Sequence, residues 1–87
     1  MTNQVIEEKL IEEVAKEVGK SERMIRHWLI NGLAKSNKDY LHRLSFTQPQ
    51  IEHLKKIALL QRNGFTVNVI KHVTKKIELD ELIKGLK

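Results

Sequence analysis

The spacing of apolar residues along the chain predicts a mostly helical domain. Several stretches place an apolar side chain at every third or fourth position, which is the period of one face of an α-helix. The first stretch follows Thr2, carries Ile6, Leu10 and Val14 on one face, and stops at Gly19. We therefore expect a first helix that is capped by Thr2 and turns a glutamate-rich side toward water.

A second, shorter helix is predicted from Ser21 to Ile30. Ser is a favoured N-cap residue, and the Asn31-Gly32 pair that follows is a common helix stop. Ile25, Trp28 and Leu29 fall on one side of this helix, so Trp28 is expected in the core. Two helices joined by a tight turn that contains glycine make a helix-turn-helix.

The helical period is lost from Ala34 to Ser45, where polar and charged residues dominate. This segment is expected to form a loop or a short hairpin. Leu41, Leu44 and Phe46 are expected to point partly inward where the chain returns, as a minimal wing beside the helix-turn-helix requires.

Helical spacing returns after residue 46. Thr47, Pro49 and Gln50 form a strong start signal, because Thr caps, Pro fits the first turn and Gln completes a capping box. That helix is expected to end at Asn63-Gly64, and Thr66 is expected to cap the next one. The final residues suit a short amphipathic helix, whose apolar face carries Leu79, Leu82, Ile83 and Leu86.

Composition narrows the class of protein. The chain has 87 residues, 40% of them hydrophobic, which suits one small folded domain. It has no cysteine, and its longest apolar run, Ile57 to Leu60, is far too short to cross a membrane. The first twenty residues are acidic, unlike a signal peptide, so the protein is expected to be soluble and cytoplasmic.

Neither a metal site nor a catalytic centre is predicted. The four histidines lie 11 to 19 residues apart, so none has the i, i+4 spacing of a helical ligand pair. The sequence also has no glycine-rich phosphate loop, and so short a helical chain offers no evident pocket for catalysis. We therefore expect a protein that is not an enzyme and uses no cofactor.

Positive charge is concentrated in the middle of the chain. Residues 1–19 carry a net charge of −3, residues 20–76 carry +9 and residues 77–87 carry −1, although the whole chain carries only +5. A basic centre between acidic ends favours a polyanionic partner that faces the centre.

Three segments of the chain resemble the N-terminal DNA-binding domain of the MerR family, a winged helix-turn-helix. The first segment matches the family pattern at Ile11, Glu13, Val14, Ala15 and Gly19. The second matches its recognition-helix signature at Ser21, Arg23, Ile25, Arg26, Trp28, Gly32 and Leu33. The third, Gly64-Phe65-Thr66, is similar to the family's Gly-Phe-Ser. Three matches in the right order are more specific than a single motif.

The chain also departs from the family pattern. Met24 stands where the family usually has Thr, His27 replaces an aromatic residue, and only Arg43 remains of the Gly-Tyr-Arg that usually marks the wing tip. The stretch from Leu44 to Thr47 is similar to smaller MerR-like domains of partition, chromosome-anchoring and excisionase proteins.

The resemblance implies a mostly α, MerR-like winged helix-turn-helix with about four helices, a short wing and a short C-terminal amphipathic helix. It assigns residues 1–76 to the DNA-binding domain and residues 77–87 to a tail, which is a candidate for the start of a dimerisation helix. So short a tail is marginal as a coiled coil. We therefore expect either a homodimer formed by a longer chain or a minimal protein that assembles cooperatively on DNA.

The implied function is sequence-specific binding of double-stranded DNA by a transcriptional regulator at the nucleoid. One alternative is an architectural role in partition, chromosome anchoring or excision. Another is a protein-interaction module, in which the C-terminal apolar face or Val5-Ile6-Lys9 docks a partner helix. DNA binding predicts a steep loss of affinity with salt, whereas an interaction module predicts little dependence.

The helix from Ser21 to Ile30 is expected to place its N-terminal half in the major groove. Arg23 is the candidate for a bidentate contact to a guanine edge, and Arg26 is expected to grip the DNA backbone. His27 is a candidate for a phosphate contact that strengthens at lower pH. Glu22 either accepts a hydrogen bond from a cytosine amine or only stabilises the positive end of the helix dipole in the first turn. The complete predicted DNA-binding set is Lys20, Ser21, Glu22, Arg23, Met24, Arg26, His27, Lys35, Lys38, His42 and Arg43.

Overall fold

The computed structural model describes residues 8–39 and 41–85. Over this part of the chain it contains five helices and three short strands. In chain order they are β1 (Lys9–Leu10), α1 (Ile11–Val18), α2 (Glu22–Ile30), β2 (Asn37–Lys38), β3 (Leu44–Phe46), α3 (Gln48–Arg62), α4 (Val67–Val73) and α5 (Leu79–Lys84). None of the helices in the described ranges has the length and apolar character needed to span a membrane.

The first helix begins later than its apolar spacing predicts. Leu10, expected on the face of a helix, has extended backbone angles (φ −75°, ψ 157°) and serves as the N-cap of α1. Lys9 and Leu10 form β1 and pair with the third strand instead. The four-residue spacing from Ile6 to Leu10 and from Leu10 to Val14 fits one turn of a helix, but it also fits the two-residue period of a strand. Apolar spacing alone therefore could not distinguish a helix from a strand at Leu10. The predicted cap Thr2 and the apolar Ile6 lie outside the described residues.

The three strands form one small antiparallel sheet in the order β1-β3-β2. Asn37 lies opposite Ser45 and Lys38 opposite Leu44, which confirms the predicted hairpin. On the other side, Lys9 lies opposite Phe46 and adds the strand that the sequence did not predict.

Of the three apolar residues predicted to point inward from the wing, Leu44 and Phe46 do so. Phe46 is fully buried, and Leu44 packs partly against the core. Leu41, by contrast, is 53% exposed, so the prediction for this residue is wrong. Leu41 lies in the turn beyond the last paired residues of β2 and β3, where no strand alternation directs a side chain inward.

The core lies between α1, α2, α3 and the sheet. Ile25 and Trp28 of α2 are fully buried and belong to one core cluster with apolar residues of α1 and α3, so the predicted core position of Trp28 is confirmed. The buried residues of α3 recur at helical spacing, and they are Ile51, Leu54, Ile57, Ala58 and Leu60.

The helix starts after the wing follow the predicted capping chemistry. Gln50 Oε1 accepts a hydrogen bond of 2.9 Å from the backbone N–H of Thr47, the reciprocal half of a capping box. Thr66 Oγ1 accepts one of 3.2 Å from the N–H of Val69. On the helix that Thr66 caps, Ile70 is buried, whereas Val69 is 43% exposed.

The last helix, α5, packs against α3. Leu79 is buried, and Leu82 and Ile83 pack partly against the core. An ion pair between Lys56 and Asp80 joins the two helices. Leu86, predicted on the same face, lies outside the described residues.

A shared ion pair joins β1, α1 and α3. The carboxylate of Glu17 lies 2.8 Å from Lys9 Nζ and 2.9 Å from Lys55 Nζ. These side-chain hydrogen bonds, first from Lys9 and then from Lys55, lower the pKa of Glu17 from 4.5 to about 2. Glu52 also approaches Lys55, at 3.4 Å, so that lysine is bound on two sides.

Candidate nucleic-acid interface

The turn between α1 and α2 fixes where the second helix begins. Gly19 has a φ of 80°, in the left-handed region that glycine adopts without strain, and its N–H donates to the carbonyl of Ala15 over 2.9 Å. Ser21 Oγ then accepts a hydrogen bond of 3.1 Å from the N–H of Met24. The predicted cap of this helix is therefore confirmed, and the serine hydroxyl is occupied by the capping bond.

The two sides of α2 have different environments. Ile25 and Trp28 are fully buried, while Arg23, Arg26 and His27 are exposed. Glu22 is half-buried, and Met24 packs partly against the core. Because Ile25 and Trp28 hold one side of the helix in the core, the arginine side has a fixed direction.

Apart from Arg43, the predicted cations in and around α2 and the wing differ from the lysines of the scaffold in their partners. Lys9, Lys55 and Lys56 each pair with a carboxylate that belongs to another element. None of the carboxylates in the described part of the chain lies within ion-pair distance of the predicted DNA contacts Lys20, Arg23, Arg26, Lys35 and Lys38. The positive charge of this region is therefore available to an external anion.

The wing turn is closed by Asp39 and Arg43. Asp39 Oδ1 accepts hydrogen bonds of 2.9 Å from the backbone N–H groups of Leu41 and Arg43. Its Oδ2 accepts from Arg43 Nε, also at 2.9 Å. His42, between them, has a φ of 62° in the left-handed region. The side chain of Arg43 is 52% exposed, but its guanidinium pairs with the carboxylate of Asp39, a partner that was not predicted from the sequence.

His27 lies on the exposed side of α2, close to the residue that ends the helix. Asn31 Nδ2 donates to the carbonyl of His27 over 2.8 Å and lies 3.3 Å from the His27 ring nitrogen Nδ1. The imidazole is thus held against the last turn of the helix. Gly32 follows with a φ of 76° and turns the chain toward the wing.

Two side chains of α3 connect the end of α2 and the wing to the scaffold. His53 Nε2 lies 2.8 Å from the carbonyl of Leu33, and because a carbonyl only accepts, this nitrogen carries the proton. Gln50 exchanges longer hydrogen bonds, of 3.3 and 3.4 Å, with the amide of Asn37 in β2. Sequence reasoning found Gln50 only as a cap and missed His53, since no local motif marks a contact between residues 20 positions apart.

A second group of cations lies on α3, α4 and the turn after them. In the part of the chain that the structure describes, these residues make no ion pair. All of these cations contribute to the positive charge of residues 20–76, but the predicted DNA-binding set does not include them. They are Arg62, Lys71, Lys75 and Lys76.

Metal ligands do not gather within residues 8–39 and 41–85. No three histidine or carboxylate side chains in these ranges approach one another in a way that could hold a metal ion.

Comparison with known proteins decides the family. The model of the MerR HTH family regulatory proteins matches residues 10–77, which is more than half of the chain. The chain belongs to the MerR family. Both the resemblance and the winged helix-turn-helix predicted from the sequence are therefore confirmed.

A solved structure of a MerR-family transcriptional regulator from Bacillus cereus has the same fold as this MerR-family chain. The two are 22% identical and superpose with a TM-score of 0.69 over 90% of this chain. That match covers 60% of the Bacillus cereus regulator, so the chain spans less than the full length of this relative. None of the curated proteins matches the chain.

The structure separates the residues of the family signature by role. Most of the matched side chains build the core or the turns, as Val14, Trp28 and Gly19 do. In the first two segments the charged members remain exposed, and they are Glu13, Arg23 and Arg26. Arg23 and Arg26 are thus the basic residues of the family signature in this MerR-family domain, and both are exposed to a partner.

Proposed function

We propose that this chain binds double-stranded DNA in a sequence-specific manner and acts as a transcriptional regulator. The observation that carries the proposal is the fixed arginine side of α2, where Arg23 and Arg26 are exposed while Ile25 and Trp28 anchor the opposite side. A capped helix of this kind, in a helix-turn-helix, fits the major groove. Membership in a family of regulatory proteins favours this role over a catalytic one.

Within α2 the two arginines receive different roles. Arg23 lies in the first turn of α2, and the N-terminal end of a recognition helix is the part that contacts base edges. Two N–H donors of the Arg23 guanidinium match the O6 and N7 acceptors of guanine. Arg26 lies about one turn further on, where a contact to the sugar-phosphate backbone is expected. One arginine then determines sequence, and the other determines position.

The remaining predicted contacts supply positioning charge and shape. Lys20 in the turn and Lys35 and Lys38 at the base of the wing are assigned to phosphates. His27 is assigned a phosphate contact from the exposed side of α2. Glu22, Ser21 and Met24 border the groove, with Ser21 and Met24 contributing mainly through the cap that they share.

The wing is proposed to lie along the DNA backbone. His42 and Arg43 are exposed polar residues of its turn, and Arg43 is held by Asp39 while half of its side chain remains accessible. The cations Lys71, Lys75 and Lys76 near α4 are further candidates for phosphate contacts, because they have no internal ion pair within the described ranges.

Several expectations belong to the same proposal. We place the protein in the cytoplasm at the nucleoid and divide the chain into a DNA-binding domain of residues 1–76 and a tail of residues 77–87. Assembly on DNA as a homodimer or as a cooperative array is also proposed.

Selection from random duplexes, followed by fluorescence polarisation, tests the function. The parent is expected to enrich a defined site and to lose at least tenfold in affinity between 50 and 200 mM salt, as a protein with several phosphate contacts does. Arg23→Ala is expected to relax base preference, and Lys35→Ala to weaken binding to all sequences. Lys84→Ala, at an exposed position of α5, is the control that should change neither base preference nor overall affinity.

Each proposed role has a result that overturns it. If Arg23→Ala weakens all duplexes equally and leaves base preference intact, Arg23 is not the base-reading residue. If the parent binds no duplex at low salt, the DNA-binding proposal fails. An affinity that hardly changes with salt favours the protein-interaction alternative.

A further inference from the structure

Ile30, the last residue of α2, is the most exposed large apolar side chain in the described part of the chain. It is 83% exposed, whereas Leu41, Val69 and Ile77 are 43–53% exposed. Single exposed apolar residues are common on protein surfaces, so exposure alone assigns no role to Ile30. Its role depends on which face of α2 carries it.

Ile30 lies on the arginine side of α2. The exposed residues of this helix are Arg23, Arg26, His27 and Ile30. Their spacing of three, four and seven residues from Arg23 places all four on one face of the helix. Ile30 is about two turns beyond Arg23 and falls between Arg26 and His27 around the helix axis. It therefore lies in the middle of the face that is proposed to meet DNA.

The end of α2 offers a bound partner few open polar groups beside Ile30. The carbonyls of His27, Trp28 and Leu29, in the last turn, each accept a hydrogen bond of 2.8–3.1 Å from the residues that follow α2. A helix end without such bonds leaves its last carbonyls to water or to a ligand. The surface around Ile30 is therefore suited to an apolar contact.

DNA presents a methyl group in the major groove only at thymine. The other groups that distinguish the base pairs there donate or accept hydrogen bonds, and an isoleucine side chain does neither. In homeodomains, too, the recognition helix reads the major groove from four positions, and their spacing is that of Arg23, Arg26, His27 and Ile30. Both the chemistry of Ile30 and its position on the helix thus match a thymine.

We propose that Ile30 is a specificity-determining residue that packs against the 5-methyl group of a thymine in the major groove. Seven residues of helix span about 10 Å, which is the rise of about three base pairs. In a helix that lies along the groove, the selected thymine is thus about three base pairs from the base pair that Arg23 reads. This contact rests on the proposed function, because it requires α2 to lie in the groove over its full length.

Deoxyuridine scanning of the selected duplex tests this contact. Replacing one thymine at a time by deoxyuridine removes only the methyl group, and fluorescence polarisation measures the affinity of each duplex. The parent is expected to lose about two- to fourfold in affinity at one thymine, the size of one buried methyl group. Ile30→Ala is expected to bind the thymine and deoxyuridine duplexes equally at that position.

Two further variants separate base reading from a structural role. Ile30→Val keeps a branched apolar side chain and should retain the parent's loss at deoxyuridine. Ile77→Ala, which removes an exposed apolar side chain in the turn before α5, should retain it as well. Ile30→Ala itself should unfold at the same temperature as the parent, because a side chain that is 83% exposed packs against little of the fold.

The overturning results are distinct from a failure of DNA binding. A selected site without thymine, or a site in which no deoxyuridine weakens the parent, means that Ile30 reads no methyl group. A loss at deoxyuridine that persists in Ile30→Ala means that another residue contacts the methyl group. If the parent binds no duplex at all, the proposed function fails and the contact fails with it.

Discussion

Asp39 holds both the side chain and the backbone of Arg43. Oδ2 of Asp39 accepts from Arg43 Nε at 2.9 Å, and Oδ1 accepts from the Arg43 backbone N–H at the same distance. The pKa of Asp39 is lowered, chiefly by that backbone hydrogen bond. The wing therefore has a turn fixed by one carboxylate, and part of its positive charge is compensated internally.

Asp39→Ala is expected to weaken duplex binding although it makes the chain more positive. Loss of the carboxylate releases the turn, and ordering one long side chain on binding costs about 0.5–1.5 kcal/mol, or roughly two- to tenfold in affinity. Fluorescence polarisation at fixed salt measures the change. Arg43→Ala and the double variant complete a cycle in which the two losses should not add. Tighter binding by Asp39→Ala would show that net charge matters more than wing geometry.

Arg23→Lys is expected to lose base discrimination while retaining charge. Lys cannot reproduce the bidentate fork, so preference at one base pair should fall by about 1–3 kcal/mol, and the salt dependence should hardly change. Arg26→Gln should do the reverse and reduce the slope of log affinity against log salt by about 1. Binding measured on matched and single-substituted duplexes at several salt concentrations separates the two. Identical behaviour of both variants would contradict their separate roles.

Acid is expected to destabilise the fold partly through Glu17. Its folded pKa, about 2, lies below the ordinary value of 4.5, because Lys9 and Lys55 favour the charged carboxylate. The stabilisation is therefore complete above about pH 5 and is lost as the pH falls toward 2. Thermal unfolding followed by circular dichroism should show a falling midpoint over that range.

Glu17→Gln is the variant that tests the acid effect. It should unfold at a lower temperature than the parent at pH 7 and show a flatter decline between pH 5 and 2. Some decline remains, because the pKa values of Asp39 and Asp80 are also lowered. Glu12→Gln, which removes an exposed carboxylate of α1, should keep the parent's pH profile. A parallel decline in parent and Glu17→Gln would rule out Glu17 as a source.

The sequence predicted the features that depend on neighbouring residues. The caps Ser21 and Thr66 and the Gln50 half of the capping box at Thr47 involve partners three residues apart, and all three have the predicted hydrogen bonds. The core position of Trp28 followed from its spacing to Ile25. Local spacing and cap chemistry therefore sufficed for the helices from α2 onward, and for the separation of the arginine side from the core side.

The missed features depend on residues that the chain brings together from a distance. Strand β1 exists because Lys9 and Leu10 meet Phe46 and Ser45, and two residues carry too little pattern to show a strand. Glu17 meets Lys55 in the same way. The Arg43 guanidinium faces Asp39 through a turn that includes a left-handed His42, a conformation that histidine adopts only occasionally. The sequence therefore shows how many cations the chain has, but only the folded structure shows which of them have a carboxylate partner and which are free to bind an anion.

His53→Leu is expected to loosen the wing from the recognition helix. The substitution keeps an apolar side chain against the core but leaves the carbonyl of Leu33 without the donor that lies 2.8 Å away. Loss of a partner at a buried acceptor costs about 1–3 kcal/mol, and because this hydrogen bond is only partly buried, the free energy of unfolding in urea should fall by about 1 kcal/mol. Duplex affinity should fall as well, because the hydrogen bond sets the direction in which the chain leaves α2. His72→Leu, at an exposed position of α4, should change stability by less than about 0.5 kcal/mol. Equal urea midpoints for the parent and His53→Leu would mean that the Leu33 carbonyl does not depend on His53, and that packing alone holds the wing in place.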